Sequence, residues 1–203
     1  MVVFACYGGA AITVAAVCAL AALAGRPPDH FTRDPLAVAE LPFYIGLLSN
    51  LNALAWCAAA TVCWFAAWIL CGHGPHDRRA AMLAWLGAII TLLALDDLFM
   101  LHEELFQARL GVSERIVLMA YAAMALVFAA AFRRLLLRQT PLRLLPPVVA
   151  LFALSIGVDQ FTTGFGWRPV VEDSLKFLAV AGLLAYVVSA AAAWIGPRKA
   201  GEG

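Results

Sequence analysis

Asp96, Asp97, His102, Glu103 and Glu104 stand close together near the end of an apolar run that begins at Ala80. Carboxylate and imidazole together can hold a divalent ion that polarises a substrate or activates water. The same groups can titrate in turn as a proton relay. Ionisable residues inside an apolar segment are costly, which makes this stretch the first candidate for function.

On a continuous helix at about 100° per residue, Asp96 and Glu103 fall within about 20° of each other, as do Asp97 and Glu104. That predicts one broad acidic face. His102 lies about 100° from Glu103, so it joins the face only from the flank or through a local distortion. Spacing alone is therefore not a metal motif. Asp96, Asp97, His102 and Glu103 are the candidate metal ligands, for a divalent ion whose identity the residues leave open. Glu104 reads as solvated.

Acids toward the C-terminal end of a helix oppose its dipole and call for compensating charge. Lys176, bound metal or protonation are the candidates. Other apolar stretches bring polar groups to the same depth: Ser49, Asn50 and Asn52 begin one, Asp159 ends one, and Glu172, Asp173 and Lys176 begin the last. Asp96, Asp97, Glu103, Asp159, Asp173 and Lys176 are accordingly the candidate catalytic residues. The plainer readings are that Glu172 and Lys176 form an ordinary i,i+4 pair, that Thr162 or Thr163 satisfies Asp159, and that Asn50 and Asn52 bond neighbouring helices.

What must position these residues is set by composition. The chain has 203 residues, 64% hydrophobic and 13% charged, with a mean hydropathy of +0.88. Spans of about 20 apolar residues consume nearly all of it. The expectation is an all-α, polytopic transmembrane bundle of about six helices, one domain over residues 1–203. The spans are placed at 2–24, 43–70, 80–107, 114–132, 146–162 and 169–194. Gly25 to Leu41 reads as a surface loop with a short helical turn, and Pro42 as the opening of the second span. Ala22-Leu23-Ala24 resembles a signal-cleavage site, but no Lys or Arg precedes the apolar run, so the first span is expected to stay.

Basic residues in short loops mark the cytoplasmic side. Arg78, Arg79, Arg133, Arg134, Arg138, Arg143, Arg198 and Lys199 collect on one side, against Arg26, Arg33, Arg109, Arg115 and Arg168 on the other. Both termini are expected in the cytoplasm of a bacterial-type inner membrane, with the polar residues in the outer half. A net charge of +1 spread over loops argues against a nucleic-acid partner. The expected partners are the bilayer and a lipid-like or small-molecule ligand. The cysteines, with no Cys-x-x-Cys pair, read as buried small hydrophobes. His73 and His76 read as part of a Gly/Pro turn.

Glu103-Glu104 followed by Arg109 superficially resembles the Glu-Glu-and-Arg motif of the CAAX-type membrane proteases. In size the chain looks similar to the alkaline-ceramidase and adiponectin-receptor-like superfamily. Both use several intramembrane histidines where this chain offers His102, and no family is assigned. Three function classes stay open: a metal-dependent membrane enzyme, with hydrolysis the least specific guess; a proton- or cation-linked transporter or channel; and a structural or partner-binding subunit. Nearly featureless cytoplasmic halves favour a one-sided pocket over a through-path.

Overall fold

Helices account for the fold of this computed structural model, which describes residues 2–27, 29–72, 74, 77–161 and 166–196, with the side chains of residues 2–6 and of Glu103 outside that description. His73, His76, Thr162, Thr163, Arg198 and Lys199 lie outside it too. The chain divides into two units, Met1–Leu47 and Leu48–Gly203.

The first unit holds α1 (Val2–Leu23) and the short helices α2 (Asp29–Thr32) and α3 (Pro35–Val38). Helix α1 ends because Gly25 adopts φ 60°, a conformation open to glycine at little cost. The amides of Gly25 and Arg26 then donate back to the carbonyls of Ala22 and Ala21, which satisfies the last turn. Asp34 caps α3 through its Oδ1, at 2.8 Å from the Leu36 amide and 3.2 Å from that of Ala37. The expected single helical turn is thus two.

The second unit is a bundle of α4 (Leu47–Cys71), α5 (Arg78–Phe99), α6 (Glu114–Gln139), α7 (Leu145–Phe161) and α8 (Arg168–Ile195), with a π-helix (Leu101–Arg109) between α5 and α6. Among the described residues these five helices are long and apolar enough to cross a membrane, α7 together with the turn that precedes it. An all-α membrane bundle is therefore the fold; α1 is apolar over Tyr7–Leu23.

The core follows helical spacing. Trp56, Ala59, Cys63, Ala66 and Leu70 of α4 are buried with Met82, Leu83, Leu86 and Ile90 of α5. Val180, Leu183, Tyr186 and Val187 of α8 complete it. Small residues set the closest crossings, as lipid-exposed bundles require: a Cβ on Gly87 would stand 3.1 Å from the Cys63 Cβ, and one on Gly182 would stand 2.8 Å from Val148 Cγ2.

Several boundaries differ from expectation for local reasons. The second span starts at Leu47 and not Phe43, because Gly46 at φ 70° closes a turn before it. The third span does not run on to Gln107: Met100 adopts a left-handed conformation, φ 49° and ψ 43°, and ends α5. Arg133, Arg134 and Arg138 are helical, because α6 continues past a non-helical residue at Phe132 to Gln139. Among the described cysteine side chains only Cys63 is buried; Cys18, Cys57 and Cys71 are exposed.

Candidate functional site

The break at Met100 builds the site. The Met100 amide donates to the Asp96 carbonyl, so the residue that closes α5 also holds the turn. The Asp96 carboxylate then crosses the turn: Oδ1 accepts from the His102 amide at 2.8 Å, and Oδ2 pairs with His102 Nδ1 at 2.8 Å. A non-glycine residue in this conformation costs about 1–2 kcal/mol, and the two charge-assisted bonds supply the compensation. Tyr121 on α6 stands near enough to interact electrostatically with the same carboxylate. Asp96 is 6% exposed.

This overturns the continuous acidic face. The turn takes His102 off the flank and folds it onto Asp96, while Glu104 is exposed. Asp97 faces away from that dyad toward other helices. Its Oδ2 accepts from Asn52 Nδ2 of α4 at 2.7 Å, and its Oδ1 lies 3.4 Å from Lys176 Nζ of α8. Lys176 is also 3.9 Å from Glu172. Lys176, one of the groups expected to offset the acids, is thus within reach of Asp97. Ser49 and Asn50 are exposed and make no part of the cluster.

Asp159 joins a separate arm at the same end of the bundle. It pairs with Arg168 and accepts from Gln160 Nε2 at 2.8 Å, which also donates to Glu114 Oε1 at 3.0 Å. Ser155 Oγ ties α7 to α8 through the Glu172 carbonyl at 3.1 Å. Asp173 is half-buried and acts on Lys176 and Glu172 through space. Helices α4 to α8 all send polar groups here.

Two buried atoms in this end have no hydrogen-bond partner among the described residues: Asn52 Oδ1, an acceptor, and Trp56 Nε1, a donor. They sit one helical turn apart on one face of α4, each residue 3% exposed. Trp56 is fixed by stacking on Phe152, with ring centroids 5.7 Å apart.

Among the described residues no three of His, Cys, Asp and Glu come together as a metal-ligand set. Asp96 and His102 bind each other, Asp97 is turned to Asn52 and Lys176, and the Glu103 side chain lies outside the described residues. Sequence reasoning missed Gln160, Glu114, Arg168, Tyr121 and Trp56 as parts of the cluster. A neutral Gln beside Asp159 at a helix end gives no signal. Trp56 looks like any core aromatic.

The model of one family, described as "Domain of unknown function (DUF8692)", matches residues 3–190. The chain belongs to that family. The match runs across the whole cluster, from Asn52 to Lys176. No curated protein and no solved structure matches the chain.

Proposed function

We propose that the chain is a membrane-embedded acid–base enzyme acting on a lipid-like substrate, with His102 as the proton acceptor. The observation that carries this reading is the two-point hold of Asp96 on His102. A carboxylate on Nδ1 fixes the ring and its tautomer, makes Nε2 the more basic nitrogen, and stabilises the imidazolium formed when that nitrogen takes a proton.

Hydrolysis is the simplest reaction such a base serves. His102 Nε2 removes a proton from water as the oxygen attacks a carbonyl carbon, and the proton then passes to the departing alkoxide, so the base is regenerated. Lys176, held beside Asp97, supplies positive charge at the same end of the bundle for the developing oxyanion. Asn52 Oδ1 and Trp56 Nε1 offer the acceptor and donor that a substrate hydroxyl needs.

The layer below supports a one-sided site over a conduit, since Cys63, Met82, Ile90, Val180 and Val187 fill it with buried apolar atoms. The test is turnover of a panel of ester- and amide-linked lipids by purified protein in mixed micelles. His102→Asn should lower kcat on the order of 10²–10⁴-fold with little change in KM. Turnover that survives His102→Asn, or no turnover of any panel member, would overturn the assignment.

A further inference from the structure

The opposite end of the bundle carries a second site of different chemistry. A cavity of about 410 Å³ is lined by Arg78 of α5 and by Ala130 to Leu135 of α6. It opens where α6 departs from helical geometry at Phe132, φ −109° and ψ 15°. The bend is held on its inner side by packing of Phe132 on Trp85 and Phe128, with ring centroids 6.2 and 5.3 Å apart. On its outer side Arg78 Nη2 donates to the Ala131 carbonyl at 3.1 Å.

The arginines at this end are not equivalent. Arg79 is engaged: Nε donates to Gln139 Oε1 at 3.0 Å, and the guanidinium lies 6.0 Å from the Trp194 ring centroid. Arg78, Arg133 and Arg134 line the cavity, and none of the ion pairs among the described residues uses them. Asp77, the nearest acid in sequence, spends its Oδ1 on the Arg79 amide at 2.8 Å.

Just along α6 from the arginines the wall is low. Ala130 and Ala131 are exposed, and Val127 continues the same face one turn away. Helix α6, 26 residues long, spans about 39 Å at 1.5 Å per residue, more than the hydrocarbon thickness of about 30 Å. Arg133 and Arg134 therefore stand at headgroup depth, with the alanines on the acyl side. A phosphate ringed by guanidinium groups above a shallow apolar groove matches an anionic phospholipid.

We propose that this cavity binds an anionic membrane phospholipid, whose phosphate is taken by Arg78, Arg133 and Arg134 while an acyl chain lies along Val127, Ala130 and Ala131. The phosphate chemistry is shared with free inorganic phosphate, and the test separates the two. Full-length protein is placed in phosphatidylcholine nanodiscs with or without phosphatidylglycerol. Lipid retention is read by native mass spectrometry and stability by thermal unfolding.

Phosphatidylglycerol should raise the wild-type midpoint and remain bound on ejection. The double variant Arg133→Ala/Arg134→Ala, which alters exposed side chains and spares the core, should lower that retention on the order of tenfold. Arg143→Ala, on the same side but outside the cavity, should keep it. Inorganic phosphate in phosphatidylcholine should not reproduce the rise. Equal losses in the double variant and Arg143→Ala would show diffuse surface charge. A full rise with inorganic phosphate would make the ligand a free anion, and no preference for phosphatidylglycerol would show that there is no such site; each result overturns the proposal.

Discussion

Asp96 holds His102 through two separate atoms, the backbone amide on Oδ1 and ring Nδ1 on Oδ2, both at 2.8 Å. One side chain thereby starts the π-helix, secures the left-handed turn at Met100 and fixes the orientation of the imidazole. Structure and proposed chemistry depend on the same carboxylate, so substitutions at either end of the contact separate the two roles.

Asp96→Asn keeps a neutral acceptor for the His102 amide but loses the charged partner of the ring. Hydrogen bonds to charged groups contribute about 1.5–3 kcal/mol, and a loss in the lower part of that range is expected in reversible unfolding from detergent micelles. Asp96→Ala removes both bonds and should cost more. Equal stability of Asp96→Ala and wild type would mean that the contact does not hold the turn.

Met100→Gly should stabilise. The left-handed conformation at φ 49° costs a non-glycine residue about 1–2 kcal/mol, against which glycine loses about 0.5–1 kcal/mol of unfolded-state entropy. A net gain of up to about 1.5 kcal/mol is expected by thermal unfolding. A clear loss would place Met100 in an ordinary helix and restore the continuous third span.

The sequence made some of this legible and hid the rest, for identifiable reasons. Apolar runs located α4 to α8 because a span needs about 20 residues and tolerates few charges. The dipole argument pointed from the aspartates to Lys176, and Asp97 meets it at 3.4 Å. The Asp96–His102 contact was illegible, because wheel geometry assumes an unbroken helix and nothing around Met100 has the glycine or proline that usually marks a break. The arginines after Phe132 looked like a loop because charge in the sequence marks the end of an apolar run and not the end of a helix, and α6 stays helical past Phe132 to Gln139.

Asp97 and Lys176 are coupled across two helices, with side chains 17% and 29% exposed. Lys176→Met or Asp97→Asn alone should each destabilise, since each leaves a partner without its charge. The double variant should recover part of the loss, giving a coupling of about 0.5–3 kcal/mol in a double-mutant cycle. Strict additivity would mean that Lys176 serves another group.

Trp56→Phe separates a packing role from a binding role. The indole nitrogen is buried with no partner among the described residues, so removing it should leave folding stability within about 1 kcal/mol, the ring stacking on Phe152 being retained. If Nε1 binds a substrate hydroxyl, KM should rise while the unfolding midpoint stays in place. A fall in stability with unchanged kinetics would assign Trp56 to the core alone.

Imidazole ¹⁵N NMR of selectively labelled protein in nanodiscs tests the central claim most directly, using single histidine substitutions to assign His102. The account predicts a neutral ring held as the Nδ1–H tautomer, with its Nδ1 proton in a strong hydrogen bond that Asp96→Asn weakens and a lone pair on Nε2. A ring protonated on Nε2 alone, or one exchanging between tautomers and indifferent to Asp96→Asn, would contradict it.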